Sequence, residues 1–86
     1  MPLDWKPRGR ELVIGGVPWL ARATDKARAS MSGAIGDYVY PCPADEAFFN
    51  SHKIDAATFT RIVKENLTDD LMIERMREID DKSAKS

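Results

Sequence analysis

Side chains that could take part in catalysis or binding are concentrated in one segment of this chain, residues 25 to 49, which reads DKARASMSGAIGDYVYPCPADEAFF. The segment contains the only cysteine and both tyrosines. Carboxylates and phenols can transfer protons in general acid–base catalysis, and a cysteine thiolate can act as a nucleophile. On these grounds the catalytic candidates are Asp25, Tyr40, Cys42 and Asp45. Their spacing matches no known catalytic motif, so whether the domain is an enzyme stays open at this point.

A second group of side chains in this region could bind an anionic or polar ligand. Arginine and lysine donate charge-assisted hydrogen bonds to carboxylates and phosphates, and tyrosine combines an apolar ring with a polar hydroxyl. The ligand-binding candidates are Arg22, Lys26, Arg28, Tyr38 and Tyr40. The alternatives are a solvated helix face, or a structural clasp in which Asp25 and Arg28 hydrogen-bond the loop backbone while the tyrosines pack.

Two of these assignments, Cys42 and Asp45, have strong structural alternatives. A nucleophilic Cys42 would need a base, and His52, the only histidine, could approach it. A lone cysteine, however, is commonly a small buried packing residue. Asp45 is also well placed as a first-turn carboxylate that complements a helix dipole. The residues show no metal-ligand spacing, so we expect neither a metal nor a cofactor.

Length and composition predict one small domain. The chain has 86 residues, of which 43% are hydrophobic and 31% charged, proportions typical of a soluble globular protein. We expect a single helical domain over residues 1–80 and a polar tail over 81–86. Apolar runs are far shorter than the ~20 residues that span a bilayer, and the N-terminus lacks the apolar core of a signal peptide. One cysteine agrees with a reducing compartment, so we expect a cytoplasmic protein.

The charge distribution bears on the class of partner. The net charge of −1 argues against a nucleic-acid-binding protein. Residues 1–28 carry six Lys/Arg and three Asp/Glu, whereas residues 29–86 carry seven and eleven. This asymmetry is either a mild surface dipole or a basic N-terminal patch that meets an anion.

Hydrophobic periodicity predicts an all-α fold of four helices. The first helix is expected from Trp19 to about Met31, with Pro18 in its first turn and Gly33 as its stop. Its apolar stripe comprises Trp19, Leu20, Ala23, Ala27 and Met31. A second helix is expected over residues 43–51, with Phe48 and Phe49 facing inward.

The third and fourth helices are marked by their caps. Asp55 is a typical N-cap for the third helix, which should end at Asn66 or Leu67, and Thr68 should begin the fourth. The predicted apolar stripes are Phe59, Ile62 and Val63 in the third helix, and Leu71, Met72, Met76 and Ile79 in the fourth. Leu12–Ile14 is expected to be a short extended part of an N-terminal arm that lies against the helices without forming a sheet. Residues 33–43 should form a structured loop.

These motifs together resemble a family of small bacterial domains of unknown function, whose members show a Gly-Gly segment, then LPRLIDKARA, then GxYxYxCPLDxxFF, then a helix capped by Ile-Asp. The resemblance covers about residues 5–75, and Ala21, Pro41, Ala44 and Glu46 depart from the usual residues. It implies a compact, mainly helical cytosolic domain and brings no known activity. The matching positions are Gly15, Gly16, Arg22, Asp25, Lys26, Arg28, Gly36, Tyr38, Tyr40, Cys42, Pro43, Asp45 and Phe49.

Two functions from different classes follow from the sequence. The first is the binding, with or without chemical conversion, of a small anionic or polar ligand between the 19–31 helix and the 36–45 loop. The second is a protein-interaction or assembly module in which exposed Trp5, Trp19 and methionine side chains bury against a partner. The small core also leads us to expect a homodimer.

Overall fold

Four helices and a two-stranded hairpin make up the part of the chain that the computed structural model describes, residues 6–85, with side chains to residue 82. Trp5, an expected interaction residue, lies outside these residues. In chain order the elements are β1 (Val13–Ile14), β2 (Val17–Pro18), α1 (Leu20–Ser32), α2 (Pro43–Ser51), α3 (Ala56–Glu65) and α4 (Asp69–Lys85).

The hairpin corrects the prediction of an all-α fold. β1 and β2 pair antiparallel, with Ile14 opposite Val17 and Val13 opposite Pro18. The turn between them is formed by Gly15 and Gly16, whose φ angles are 57° and 76°. Two successive residues with positive φ form the tight turn that matches the twist of a hairpin, and glycine adopts it without strain. The glycine pair therefore reverses the chain instead of only ending an extended segment.

The hairpin also moves the start of the first helix. Pro18 belongs to β2 and not to the first turn of α1, and Trp19 precedes the helix with a left-handed φ of 72°. α1 ends as predicted, because Gly33 adopts φ 77° and its N–H bonds back to the carbonyls of Ala29 and Ser30. This is the usual helix stop at glycine.

The remaining helices begin at the predicted caps. α2 spans the predicted residues 43–51, and Asp55 caps α3 by accepting a 2.8 Å hydrogen bond from the N–H of Thr58. The Thr68 hydroxyl accepts a 3.3 Å bond from the N–H of Leu71 in the first turn of α4. α4 continues to Lys85, through most of the polar segment 81–86.

All three phenylalanines meet at the centre of the core. Phe49 and Phe59 have ring centroids 4.9 Å apart, and Phe48 lies 5.8 Å from the first and 5.7 Å from the second. The inward orientation predicted for Phe48 and Phe49 is confirmed. Around them lie the other members of the buried cluster: Val17, Leu20, Ala23, Ala27, Ile62, Val63, Met72 and Met76.

Two assignments in the predicted apolar stripes are wrong. Met31 is 44% exposed and Leu71 is 42% exposed, and each lies close to an end of its helix. Met72 and Met76 are fully buried, which confirms their place in the predicted stripe of the fourth helix and leaves neither of them exposed for a partner. None of the described helices combines the length and apolarity needed to cross a bilayer.

Candidate functional site

The centre of the candidate region is an ion pair in the interior. Lys26 on α1 and Asp45 in the first turn of α2 are both buried, and the Nζ to Oδ2 distance is 2.7 Å. Lys26 lies outside the apolar stripe that the sequence predicts for this helix. The position is buried because α2 and the preceding loop cover that side of the helix, and the ammonium is matched there by a carboxylate. Buried charges require such a partner.

Asp45 is held by three donors. Besides Lys26, the indole Nε1 of Trp19 donates to Oδ1 at 2.8 Å, and the backbone N–H of Cys42 donates to Oδ2 at 3.0 Å. Burial alone would raise the pKa of Asp45, but the hydrogen bonds from Lys26, Cys42 and Trp19 outweigh it and hold the pKa below its usual value. Asp45 is therefore a carboxylate at neutral pH and joins the hairpin end, α1 and α2.

Cys42 is the N-cap residue of α2 and forms a capping box with Asp45. Its Sγ is 3.3 Å from Lys26 Nζ, which donates a hydrogen bond to it. His52 lies at the opposite end of α2, where its Nδ1 is 2.6 Å from Asp80 Oδ1. The nine residues of α2, about 13 Å of helix, separate the backbones of Cys42 and His52, so the structure does not bring these two residues together.

A second network connects the N-terminal arm to α1 and α4 through Arg8. Its guanidinium donates two bonds of 2.9 Å to Asp25, and its Nη1 and Nη2 donate to Asp69 at 2.6 and 2.9 Å. Hydrogen bonds to Asp69 and Asp25 raise the pKa of Arg8, and the bond from Arg8 lowers the pKa of Asp69. The carboxylate of Asp25 is thus paired with the guanidinium of Arg8.

Arg28 belongs to the same side of the molecule. Its Nη2 donates to the carbonyl of Asn66 at 3.4 Å, and its Nη1 is 4.0 Å from Asp69. The contacts of Asp25 and Arg28 therefore join α1 to the N-terminal arm and to the start of α4. They are not the contacts to the loop backbone that the structural clasp described above would require.

Arg22 lies beside the loop, between two aromatic rings. Its Cζ is 5.7 Å from the centroid of the Trp19 ring and 5.8 Å from that of Tyr38, within the range of cation–π attraction. Its Nη1 donates to the carbonyl of Arg8 at 3.2 Å. Its Nε is buried and has no hydrogen-bond partner among the described residues. The structure therefore brings together Arg22 and Tyr38, two of the predicted ligand-binding residues.

Tyr40 points away from that pair and towards α3. Its hydroxyl is 2.7 Å from the Thr60 hydroxyl, and its ring packs edge-on against Phe49 with centroids 6.2 Å apart. Burial raises the pKa of Tyr40 to about 12, although the bond to Thr60 acts in the opposite direction. The phenol is therefore protonated at neutral pH.

The sequence analysis did not predict the contacts of two residues that organise this region, Trp19 and Arg8. The Cys-Pro-x-Asp spacing carried a usable signal for Asp45, since a side chain three residues after an N-cap can bond back to the N-cap N–H. No comparable signal marked the indole of Trp19 as a donor to Asp45, or Arg8 as the bridge between Asp25 and Asp69. All three contacts join residues at least 17 positions apart.

Open depressions lie on other sides of α1. One, of about 380 Å³, is lined by Asp25, Arg28, Ala29, Ser32 and Ala34. Another, of about 440 Å³, lies between α1 and α3. Across the part of the chain that the structure describes, no three His, Cys, Asp or Glu side chains are grouped so that they could hold a metal ion.

Comparisons with known proteins place the chain in a family. A comparison with curated proteins finds no match. A family model matches residues 5–86, almost the whole length, and that model is described as a domain of unknown function, DUF5069. The match agrees with the resemblance inferred from the motifs and adds no activity to it. The chain belongs to the DUF5069 family of domains of unknown function.

Proposed function

We propose that this domain binds a small anionic ligand, a phosphate or carboxylate, at the guanidinium of Arg22, on the side of α1 that faces the tyrosine loop. One observation carries the proposal. Among the four cations on or against α1, Arg22 alone has no carboxylate within ion-pair distance in the described part of the chain. The other three, Arg8, Lys26 and Arg28, face Asp25, Asp45 and Asp69.

The hydrogen-bonding capacity of Arg22 supports the same conclusion. A guanidinium has five N–H donors, and the described contacts of Arg22 use one, on Nη1. An anion on the edge formed by Nε and Nη2 would accept two parallel bonds and would satisfy the buried Nε. Since Nε is buried, a flanking ring has to shift before a ligand reaches that edge.

The two rings give the site its selectivity. Trp19 and Tyr38 flank the guanidinium, and the indole N–H of Trp19 is already committed to Asp45. A small planar or tetrahedral anion needs the smallest displacement of these rings, so it is the ligand that we expect. A cytoplasmic location fits the single cysteine and forms part of the proposal.

The proposal is one of binding rather than catalysis. Proton transfer at neutral pH is most efficient from a group with a pKa close to 7. Asp45 has a lowered pKa and Tyr40 a pKa of about 12, so each is held in one protonation state near neutrality. Two of the four catalytic candidates are therefore poorly suited to general acid–base chemistry.

The test is calorimetric titration of the full chain with inorganic phosphate and with succinate. Arg22→Gln should weaken binding of the preferred anion by about tenfold to a hundredfold, as expected for loss of a charged hydrogen-bonding group. Arg28→Gln is the matched control, because it removes an arginine from the same helix whose contacts are to Asn66 and Asp69. Equal loss in both variants, or no binding of either anion by the unmodified chain, would contradict the proposal.

A further inference from the structure

A groove between the C-terminal halves of α1 and α3 is distinct from the Arg22 site. Its volume is about 440 Å³. We call it the α1–α3 groove, and its lining residues are Arg28, Met31, Ser32, Val63, Lys64 and Leu67. Neither Arg22 nor either tyrosine contributes to it, so a role for this groove does not depend on the anion site.

Two large apolar side chains that line the groove are open to solvent, and a third follows on the chain segment that leaves it. Leu67 is 79% exposed and Met31 is 44% exposed. Leu71, four residues beyond Leu67 and in the first turn of α4, is 42% exposed. These are three of the six large hydrophobic side chains that are exposed in the described part of the chain. Exposed apolar side chains in and next to one groove are typical of an interaction surface.

A cation lines the groove, and an acid lies on the chain segment that leaves it. Lys64 is exposed on the α3 side, and Asp70 is exposed beside Leu71. Asp70 follows Asp69, which is 4.0 Å from the groove residue Arg28. Neither Lys64, which lines the groove, nor Asp70 has an ion-pair partner among the described residues. A surface of this kind is self-complementary, because a two-fold axis brings the cation of one copy towards the acid of the other.

We propose that the α1–α3 groove is the contact surface of a homodimer, in which a second copy of this chain is the occupant. Leu67 and Leu71 of each copy enter the groove of the other, and Lys64 of each copy faces Asp70 of the other. A basic rim alone would suit an acidic peptide, but here an acid lies beside the exposed leucines. In a chain of 86 residues, the limited core gives self-association a further stabilising role.

The test is sedimentation of the full chain at two concentrations roughly a hundredfold apart, which separates a concentration-dependent dimer from a monomer. Leu67→Glu should weaken the dimer at least about tenfold, the loss expected when a charge enters a central apolar contact. Val39→Glu is the matched control, since Val39 is 63% exposed and does not line the groove. Both positions are exposed, so both variants should fold, and far-ultraviolet circular dichroism checks this.

Exchanging the charges of Lys64 and Asp70 tests how the two copies are oriented in the dimer. Lys64→Glu and Asp70→Lys should each weaken the dimer by about twofold to fivefold, and the double variant should recover most of the loss. Four results would overturn the proposal: a monomer at both concentrations, equal effects of Leu67→Glu and Val39→Glu, a double variant no stronger than the single ones, or a monomer that binds an acidic amphipathic peptide through Leu67.

Discussion

Lys26 and Asp45 join two helices through a buried ion pair, with Nζ and Oδ2 2.7 Å apart. The pair connects the DKARA segment of α1 to the Cys-Pro-Ala-Asp turn that starts α2. The same contact removes both charges from the set available to a ligand, because each neutralises the other in the interior. The two conspicuous motifs of the sequence are therefore connected first by a structural contact.

Removing the carboxylate should destabilise the domain severely. Asp45→Asn leaves the Lys26 ammonium buried without a counter-charge, and breaking a buried pair in this way costs about 3–5 kcal/mol. The free energy of unfolding, measured by urea denaturation, should fall by an amount in this range. The double variant Lys26→Met with Asp45→Asn should lose less than the sum of the two single changes. Additive losses would show that the two residues do not stabilise each other.

Lowering the pH should reduce the stability of the domain through protonation of Asp45. The pKa of Asp45 is lower in the folded chain than its ordinary value of 3.8, so the folded state favours the carboxylate. The resulting stabilisation is complete above pH 3.8, declines as the pH falls below it, and is lost once the pH passes the folded-state pKa. Urea denaturation across this window should show a steeper decline for the unmodified chain than for Asp45→Asn. Parallel curves would contradict the assignment.

The two glycines of the hairpin turn should differ in their tolerance of alanine. Both have positive φ, so alanine costs about 1–2 kcal/mol at either position. At Gly15 a Cβ would also overlap three side-chain carbons of Ile73, whereas at Gly16 it meets nothing within 4 Å. Gly15→Ala should therefore cost a further 1–3 kcal/mol or so, as overpacking does. Equal melting temperatures for the two variants would show that the hairpin does not pack on α4.

The centre of the core should be sensitive to truncation at Phe59, which is fully buried between Phe48 and Phe49. Phe59→Ala should cost about 3–5 kcal/mol. Small domains have only about 5–15 kcal/mol in total, so the variant should be close to unfolding at moderate temperature. Val39→Ala, at an exposed position, should change the melting temperature little. A Phe59→Ala variant that melts within a degree or two of the unmodified chain would contradict this core.

The hydroxyl of Tyr40, which faces α3, should contribute modestly to the stability of the domain. Tyr40→Phe removes the 2.7 Å bond to Thr60 and keeps the ring packed against Phe49. We expect a loss of about 0.5–1.5 kcal/mol in the free energy of unfolding, and unchanged anion binding. Loss of anion binding with unchanged stability would instead place Tyr40 in the ligand site.

Helix positions were predictable because their signals are local. The glycine stop of α1, the proline start of α2 and the Asp55 cap of α3 each depend on one residue and its immediate neighbours. The hairpin had a local signal as well, the Gly-Gly pair, but two-residue strands give almost no periodicity to support it. The exposure of Met31 and Leu71 depends on where neighbouring helices end, which no local pattern contains.

The residue types of the candidate site were evident from the sequence, but their partners were not. The sequence by itself determined four helices, their ends apart from the start of α1, the inward phenylalanines and the collection of cations, tyrosines and one thiol between residues 22 and 45. The tertiary structure decided which cations are neutralised: Asp45 reaches Lys26, Asp25 reaches Arg8, and Arg22 meets two rings instead of a carboxylate. The physical reason is that helical periodicity reports one face of one helix, whereas an ion pair depends on a second segment, 17 to 61 residues away, arriving within about 3 Å.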